Sequence, residues 1–251
     1  MKKIGITIGD INGIGPEVIL KAINNNKWSD DVSFIIIGSE IIIKNQADKL
    51  KIPISNRIDF LDVGNASWQP GCICKDASIL AASAIKYGIK ASLLGEIDGI
   101  VTAPIAKIGF KNAGINYPGH TEMFADLTNT SKFGMMLIGG GLRVMLVTRH
   151  IALSKVSSSL SQIKIKEAVQ LTETGLSWLG IKNKRIGVCG LNPHAGDGGV
   201  LGNEEEEIIN PALEIMQKKG INVSNAISAD TIFYHAKKGD FNAIIAMYHD
   251  Q

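Results

Sequence analysis

The sequence predicts an α/β protein built on mixed, largely parallel sheets. Two observations lead there. Short apolar runs alternate with longer segments of helical period along the whole chain. Two of the runs, 134–138 and 143–147, are separated only by Gly139-Gly140-Gly141-Leu142, a spacing that favours a β-hairpin and so one antiparallel pair. With 251 residues, 45% of them hydrophobic, the chain can bury a sizeable core as one large α/β domain or two smaller ones.

In chain order, the apolar runs Ile4–Ile8, Ser33–Ile37, Arg57–Val63 and Gly99–Thr102 read as strands of a first domain, residues 1–130. The polar stretch Thr128-Asn129-Thr130-Ser131-Lys132 marks the boundary. The hairpin, Arg185–Cys189, Asn222–Ala226 and Asn242–Met247 then belong to a second domain, residues 131–251. Helical segments are expected near 16–25, 39–49, 76–94, 163–179, 204–219 and 230–238. The helix near 204–219 has Asn203 as its N-cap, followed by four glutamates that suit the helix dipole and read as a solvated first turn.

Composition excludes several function classes. A formal net charge of +2 gives no electrostatic reason to expect nucleic acid or a membrane surface as a partner. No apolar run approaches the roughly 20 residues that span a bilayer. The basic-then-apolar start runs directly into Asp10, Asn12, Gly13 and Pro16 without a small-residue cleavage site, so it reads as a first strand. Cys72, Cys74 and Cys189 make neither a disulfide framework nor a zinc ribbon, and a cytoplasmic setting is expected.

The polar residues that could carry chemistry sit at strand ends. His150, His194 and His249 each follow a candidate strand, where α/β proteins place ligands. Neutral imidazoles are common ligands of divalent metals. Spacing alone leaves a metal site and three ordinary hydrogen-bonded histidines both open. His120 lies in the loop Tyr117-Pro118-Gly119-His120-Thr121-Glu122, and His235 reads as a surface residue beside Lys237 and Lys238. The segment Gly9-Asp10-Ile11-Asn12-Gly13-Ile14-Gly15-Pro16 lacks the spacing of either phosphate-binding glycine motif and reads as a tight strand-to-helix turn.

Taken in order, these clusters resemble the 4-hydroxythreonine-4-phosphate dehydrogenase family. The matching segments are Ile6-Thr7-Ile8-Gly9-Asp10 with Gly13-Ile14-Gly15-Pro16-Glu17, Val101-Thr102-Ala103-Pro104-Ile105 with Lys107, and Pro118-Gly119-His120-Thr121-Glu122. Gly190-Leu191-Asn192-Pro193-His194-Ala195-Gly196 and Ala246-Met247-Tyr248-His249-Asp250-Gln251 complete the series and are the most specific pair.

The resemblance implies two α/β/α domains with a cleft between them, like isocitrate and isopropylmalate dehydrogenases. It implies oxidation of the 3-hydroxyl of 4-phosphohydroxy-L-threonine by NAD (or NADP), then loss of carbon dioxide to give 3-amino-2-oxopropyl phosphate for pyridoxal phosphate synthesis. One divalent metal would be held by His150, His194 and His249. Three imidazoles favour zinc, with magnesium, manganese and cobalt as alternatives. The site would lie at a homodimer interface, with His249 supplied by the partner subunit. His120 and Thr121 map onto substrate-binding positions. Lys107, in a loop after the Val101-Thr102 strand, reads either as a contact for substrate phosphate or carboxylate or as a solvated lysine. No residue is assigned as the catalytic base; Asp230 and Asp250 are candidates to orient a ligand histidine or take a proton, and both read equally as ordinary surface aspartates.

Family members continue past His-Asp-Gln, so the stop at Gln251 carries the expectation of a C-terminally truncated chain. Two other readings follow. One is a sister dehydrogenase of erythronate or threonate 4-phosphate. The other is a metal-binding module without catalysis.

Overall fold

Ile4, Ile6 and Ile8 leave the N-terminus as part of an extended, β-branched run, and the sheet of the first half is built around that run. The computed structural model describes residues 1–25 and 27–251. The chain divides into two units, Met1–Ser131 and Lys132–Gln251, each with its own sheet.

In the first unit, strands β1 (Lys2–Thr7), β2 (Val32–Gly38), β3 (Ile58–Asp62) and β4 (Gly99–Thr102) are all parallel, in the order β3-β2-β1-β4. Helices α1 (Gly15–Asn25), α2 (Glu40–Leu50) and α3 (Lys75–Leu93) cross between them. The near-continuous apolar run of β2 is that of a strand covered on both faces. Ile19, Leu20 and Ile23 of α1 and Ile42, Ile43 and Ala47 of α2 join one core with Ile6, Phe34 and Ile36. Each isoleucine, leucine or phenylalanine among them, fully buried, contributes about 1.5–3 kcal/mol before entropy is counted. Helix α3 also meets α4 (Lys107–Asn112) and α5 (His120–Leu127) through Ala81, Ile85, Ile89, Phe110 and Met123.

In the second unit the sheet runs β5-β6-β9-β7-β8. Its strands are β5 (Met136–Gly139), β6 (Leu142–Leu146), β7 (Ile186–Cys189), β8 (Val223–Ile227) and β9 (Ala243–Ala246). Only β5 is antiparallel, paired to β6 through a turn at Gly140 (φ 56°) and Gly141 (φ 85°). Two consecutive positive φ values match the twist of a two-residue hairpin, which glycine supplies without a Cβ penalty. Around β9, Ala243, Ile245 and Met247 join the core with Ile165, Val169 and Leu176 of α7 (Gln162–Trp178). Ile244 and Ala246 face Ile232 and Ala236 of α9 (Ala229–Lys238). That alternation makes β9 the covered centre of a mixed sheet.

Two local expectations change. His120 opens a helix instead of lying in a loop. The segment near 204–219 is not one regular helix capped by Asn203: a π-helical turn, Glu205–Ile209, precedes α8 (Asn210–Lys218). Pro211 has no amide hydrogen to return and its ring crowds the carbonyl four residues back, and a wider turn accommodates both. A short helix, α6 (Val156–Ser159), was not anticipated either.

Candidate active site

Strands β6, β9 and β7 are adjacent and parallel, so their carboxyl ends share one edge of the second sheet. The ladder between β6 and β9 continues past both strands. Val147 N–H donates to Ala246 O at 2.9 Å and Thr148 N–H to Met247 O at 3.1 Å. The buried Thr148 hydroxyl donates to the same Met247 carbonyl at 2.7 Å. With the two exits clamped, His150 and His249 emerge side by side, their ring centroids 5.6 Å apart and their planes tilted by 36°. Asp250 Oδ1 lies 3.2 Å from His249 Nδ1, which leaves the other ring nitrogen for a ligand.

His194 leaves the next strand, β7, in an unusual turn. His194, Ala195 and Asp197 have φ of 53°, 52° and 47°, and Gly196 between them has 86°. Left-handed conformations cost non-glycine residues roughly 1–2 kcal/mol each, so this turn persists only because its surroundings hold it. Glu205, 2% exposed, does part of the holding. Its Oε1 accepts from Leu191 N–H at 2.7 Å and Asn192 N–H at 2.8 Å, and its Oε2 from Asn192 Nδ2 at 2.9 Å. Glu204 accepts from Ser157 Oγ and Asn192 Nδ2, which in that order hold its carboxyl below the usual range. Gln251 ties the β9 exit to β7: its Nε2 donates to Gly190 O and its Oε1 accepts from Met247 N–H at 2.6 Å. Asp230 lies near enough to His194 to feel its charge. Its carboxyl is held low chiefly by the hydroxyls of Ser228 and Thr231, with His194 a minor contributor.

The three sequence-predicted ligands are thus treated unequally. His150 and His249 stand together. Among the described residues, no three His, Cys, Asp or Glu side chains are grouped closely enough to hold a metal, so His194 stands apart from the pair. The pair forms within one chain, whereas the family resemblance supplies His249 from the partner subunit. Two imidazoles still fit a shared divalent ion. Metal–nitrogen bonds of about 2.0–2.1 Å put tetrahedral ring centroids roughly 5 Å apart.

In the first unit, His120 is the first residue of α5 and Thr121, half-buried, the second. His120 Nε2 is buried with no hydrogen-bond partner. Burial, and secondarily Lys107 at the start of α4, push its pKa below the usual imidazole value. The loop after β1 is a structural turn. Asp10 N–H donates to Pro104 O at 2.8 Å, Gly13 N–H to Asp10 O at 3.0 Å and Asn12 N–H to Asp10 Oδ1 at 3.0 Å. Those three amides are therefore engaged internally. A Cβ on Gly9 would meet Pro104 O at 2.4 Å, so this loop and the loop after β4 pack as one surface.

Elsewhere, His235 pairs with Asp240 at 2.7 Å on the exposed side of α9, as an ordinary surface histidine would. Burial pushes the Cys189 thiol up to about 12, so it is no nucleophile. Glu205, Asn192 and Gln251 escaped the sequence reading as functional positions. The signal, a glycine-rich loop followed by an acidic run, was there but did not say which glutamate turns inward.

The profile described as Pyridoxal phosphate biosynthetic protein PdxA matches residues 15–251. This chain belongs to the PdxA family. A relative from Oceanobacillus iheyensis is 39% identical over 99% of this chain and 80% of its own length. Another PdxA-like relative, the D-threonate 4-phosphate dehydrogenase of Pectobacterium atrosepticum, is 35% identical over 100% of this chain and 82% of its own. The crystal structure of a 4-hydroxythreonine-4-phosphate dehydrogenase from Klebsiella pneumoniae superposes with a TM-score of 0.90 at 31% identity, covering 100% of this chain and 82% of that one. Membership in the PdxA family makes the chain a dehydrogenase homologue of enzymes for phosphorylated hydroxy acids. No helix among the described residues is long and apolar enough to cross a membrane.

Proposed function

We propose that this chain oxidises the 3-hydroxyl of a 4-phosphorylated hydroxy acid, with NAD or NADP as acceptor and a divalent metal held by the paired His150 and His249, with His194 as the third ligand that the family resemblance implies. The observation that carries the proposal is the pair of imidazoles set side by side by two clamped strand exits. When bound, the metal would supply a Lewis acid that lowers the pKa of the substrate hydroxyl, and the nicotinamide would take the hydride.

The chain's own groups do the rest. Asp250 orients His249 through its Nδ1, and Thr148 fixes the backbone from which both rings project. His120, neutral near pH 7, offers a buried nitrogen with an unmet hydrogen bond to a substrate oxygen, and Thr121 offers a hydroxyl beside it. Lys107 brings positive charge for the phosphate or carboxylate. A homodimer and a cytoplasmic setting belong to the same proposal.

Two substrates share the 3-hydroxyl and the 4-phosphate. D-threonate 4-phosphate ranks first, because the relatives at 35–39% identity include an enzyme of that name. 4-Phosphohydroxy-L-threonine, which carries an ammonium in place of the 2-hydroxyl, ranks second on the structural neighbour at 31% identity. The test is NAD(P)H formation with each substrate, with and without chelator. Chelator-sensitive turnover is expected, faster with the threonate ester. Preference for the amino acid would move the chain to the pyridoxal route, and turnover that resists complete metal removal would sink the proposal.

A further inference from the structure

We infer that Glu205 is a positioning residue for His194, acting through the backbone of the turn that presents it. The inference rests on the metal-site reading above and extends it to a side chain that the reading leaves without a task. Three features of the carboxylate single it out. It is almost fully buried while Glu206 and Glu207, its neighbours in the acidic run, are exposed. All three donors on it belong to Leu191 and Asn192, the residues that lead into His194. And the turn closes directly over it: a Cβ on Gly190 would lie 2.9 Å from Glu205 Oε1, and one on Gly196 2.9 Å from Oε2.

Charge-assisted hydrogen bonds to two successive amides and a side-chain amide fix a direction for the peptide planes, not merely a contact. Beyond those planes the chain enters three left-handed non-glycine residues, the first of which is His194 itself. With its anchor removed, the turn has lower-energy conformations available, and the imidazole would no longer project where it does. The π-helical turn completes the arrangement, since it is the first residue of that turn, Glu205, that points inward.

The test uses the full chain with Glu205→Gln, which keeps the size of the side chain and one acceptor oxygen. Three readouts are taken: thermal midpoint, amide hydrogen exchange at Leu191 and Asn192 without metal, and titration with Co²⁺ followed by its visible absorption. The expected result is exchange at least tenfold faster at those two amides, and Co²⁺ binding weakened by about tenfold or more with an altered absorption band. Exchange in the first unit stays as in the parent chain. Unchanged exchange and an unchanged Co²⁺ band would overturn the inference. If the substitution lowers the midpoint of the whole chain, Asn192→Ala, which removes one donor to the same carboxylate, is held to the same two criteria. Failure of the parent chain to bind Co²⁺ would instead overturn the metal-site reading, and the exchange rates alone would then decide the role of Glu205.

Discussion

His120 and Glu205 show what single residues contribute and how much of it can be read ahead of the structure. His120 was legible as a candidate from its Pro-Gly-His-Thr-Glu setting. Its environment was not, because the burial that depresses its pKa comes from the folded chain around the start of α5. The depressed pKa has a sign that can be tested. The unfolded chain takes up a proton near pH 6.5 that the folded chain refuses, so this contribution to stability is present above that pH and lost as pH falls toward the folded value. An NMR titration of the His120 ring should give a midpoint below 6.5, and Lys107→Met should raise it only part of the way, burial being the larger cause. A midpoint at or above the ordinary value in the parent chain would contradict the burial of the His120 ring nitrogen. Glu205 was misread as one of four solvated glutamates, since the sequence gives equal standing to Glu204, Glu205, Glu206 and Glu207. The turn ahead of Pro211 and the loop above it, both long-range in effect, choose among them.

At the level of elements, the strands were readable because most carry a short apolar run bounded by polar residues or glycine, and β9 reads AIIA with every residue buried. The hairpin was readable because glycine adopts both of its positive-φ turn conformations without a Cβ penalty. Helices α4 and α5 were missed for a physical reason: they are six and eight residues long, and their N-caps, Ala106 and Gly119, offer no side-chain hydrogen bond to announce a start. The strand exits are where elements meet chemistry, and Gly190 is a tight point at the exit of β7. A Cβ there would lie 2.8 Å from the Ala195 Cα, backbone that cannot swing aside. Gly190→Ala should therefore destabilise the chain by about 1–3 kcal/mol, as overpacking does, and should displace the His194 turn. Denaturant unfolding measures the first effect and metal affinity the second. A variant as stable and as tightly metal-bound as its parent would show that the turn is not held as described.

At the scale of the whole molecule, the chain is two α/β units with separate cores, and all three proposed ligands come from the second, Lys132–Gln251. The parallel order β6-β9-β7 accounts for this. Three residues spread over a hundred positions of sequence arrive at one sheet edge because their strands are neighbours there. The sequence could place each histidine after a strand but could not order the strands, so which imidazoles pair was beyond it. The central claim is that these strand ends hold a functional metal, and a titration of the metal-free chain with zinc, set beside His249→Ala, tests it most directly. The account predicts saturable binding by the parent chain that weakens by at least tenfold in the variant while the thermal midpoint of the metal-free protein is unchanged. Equal affinity in both would remove His249 from the site and contradict the account.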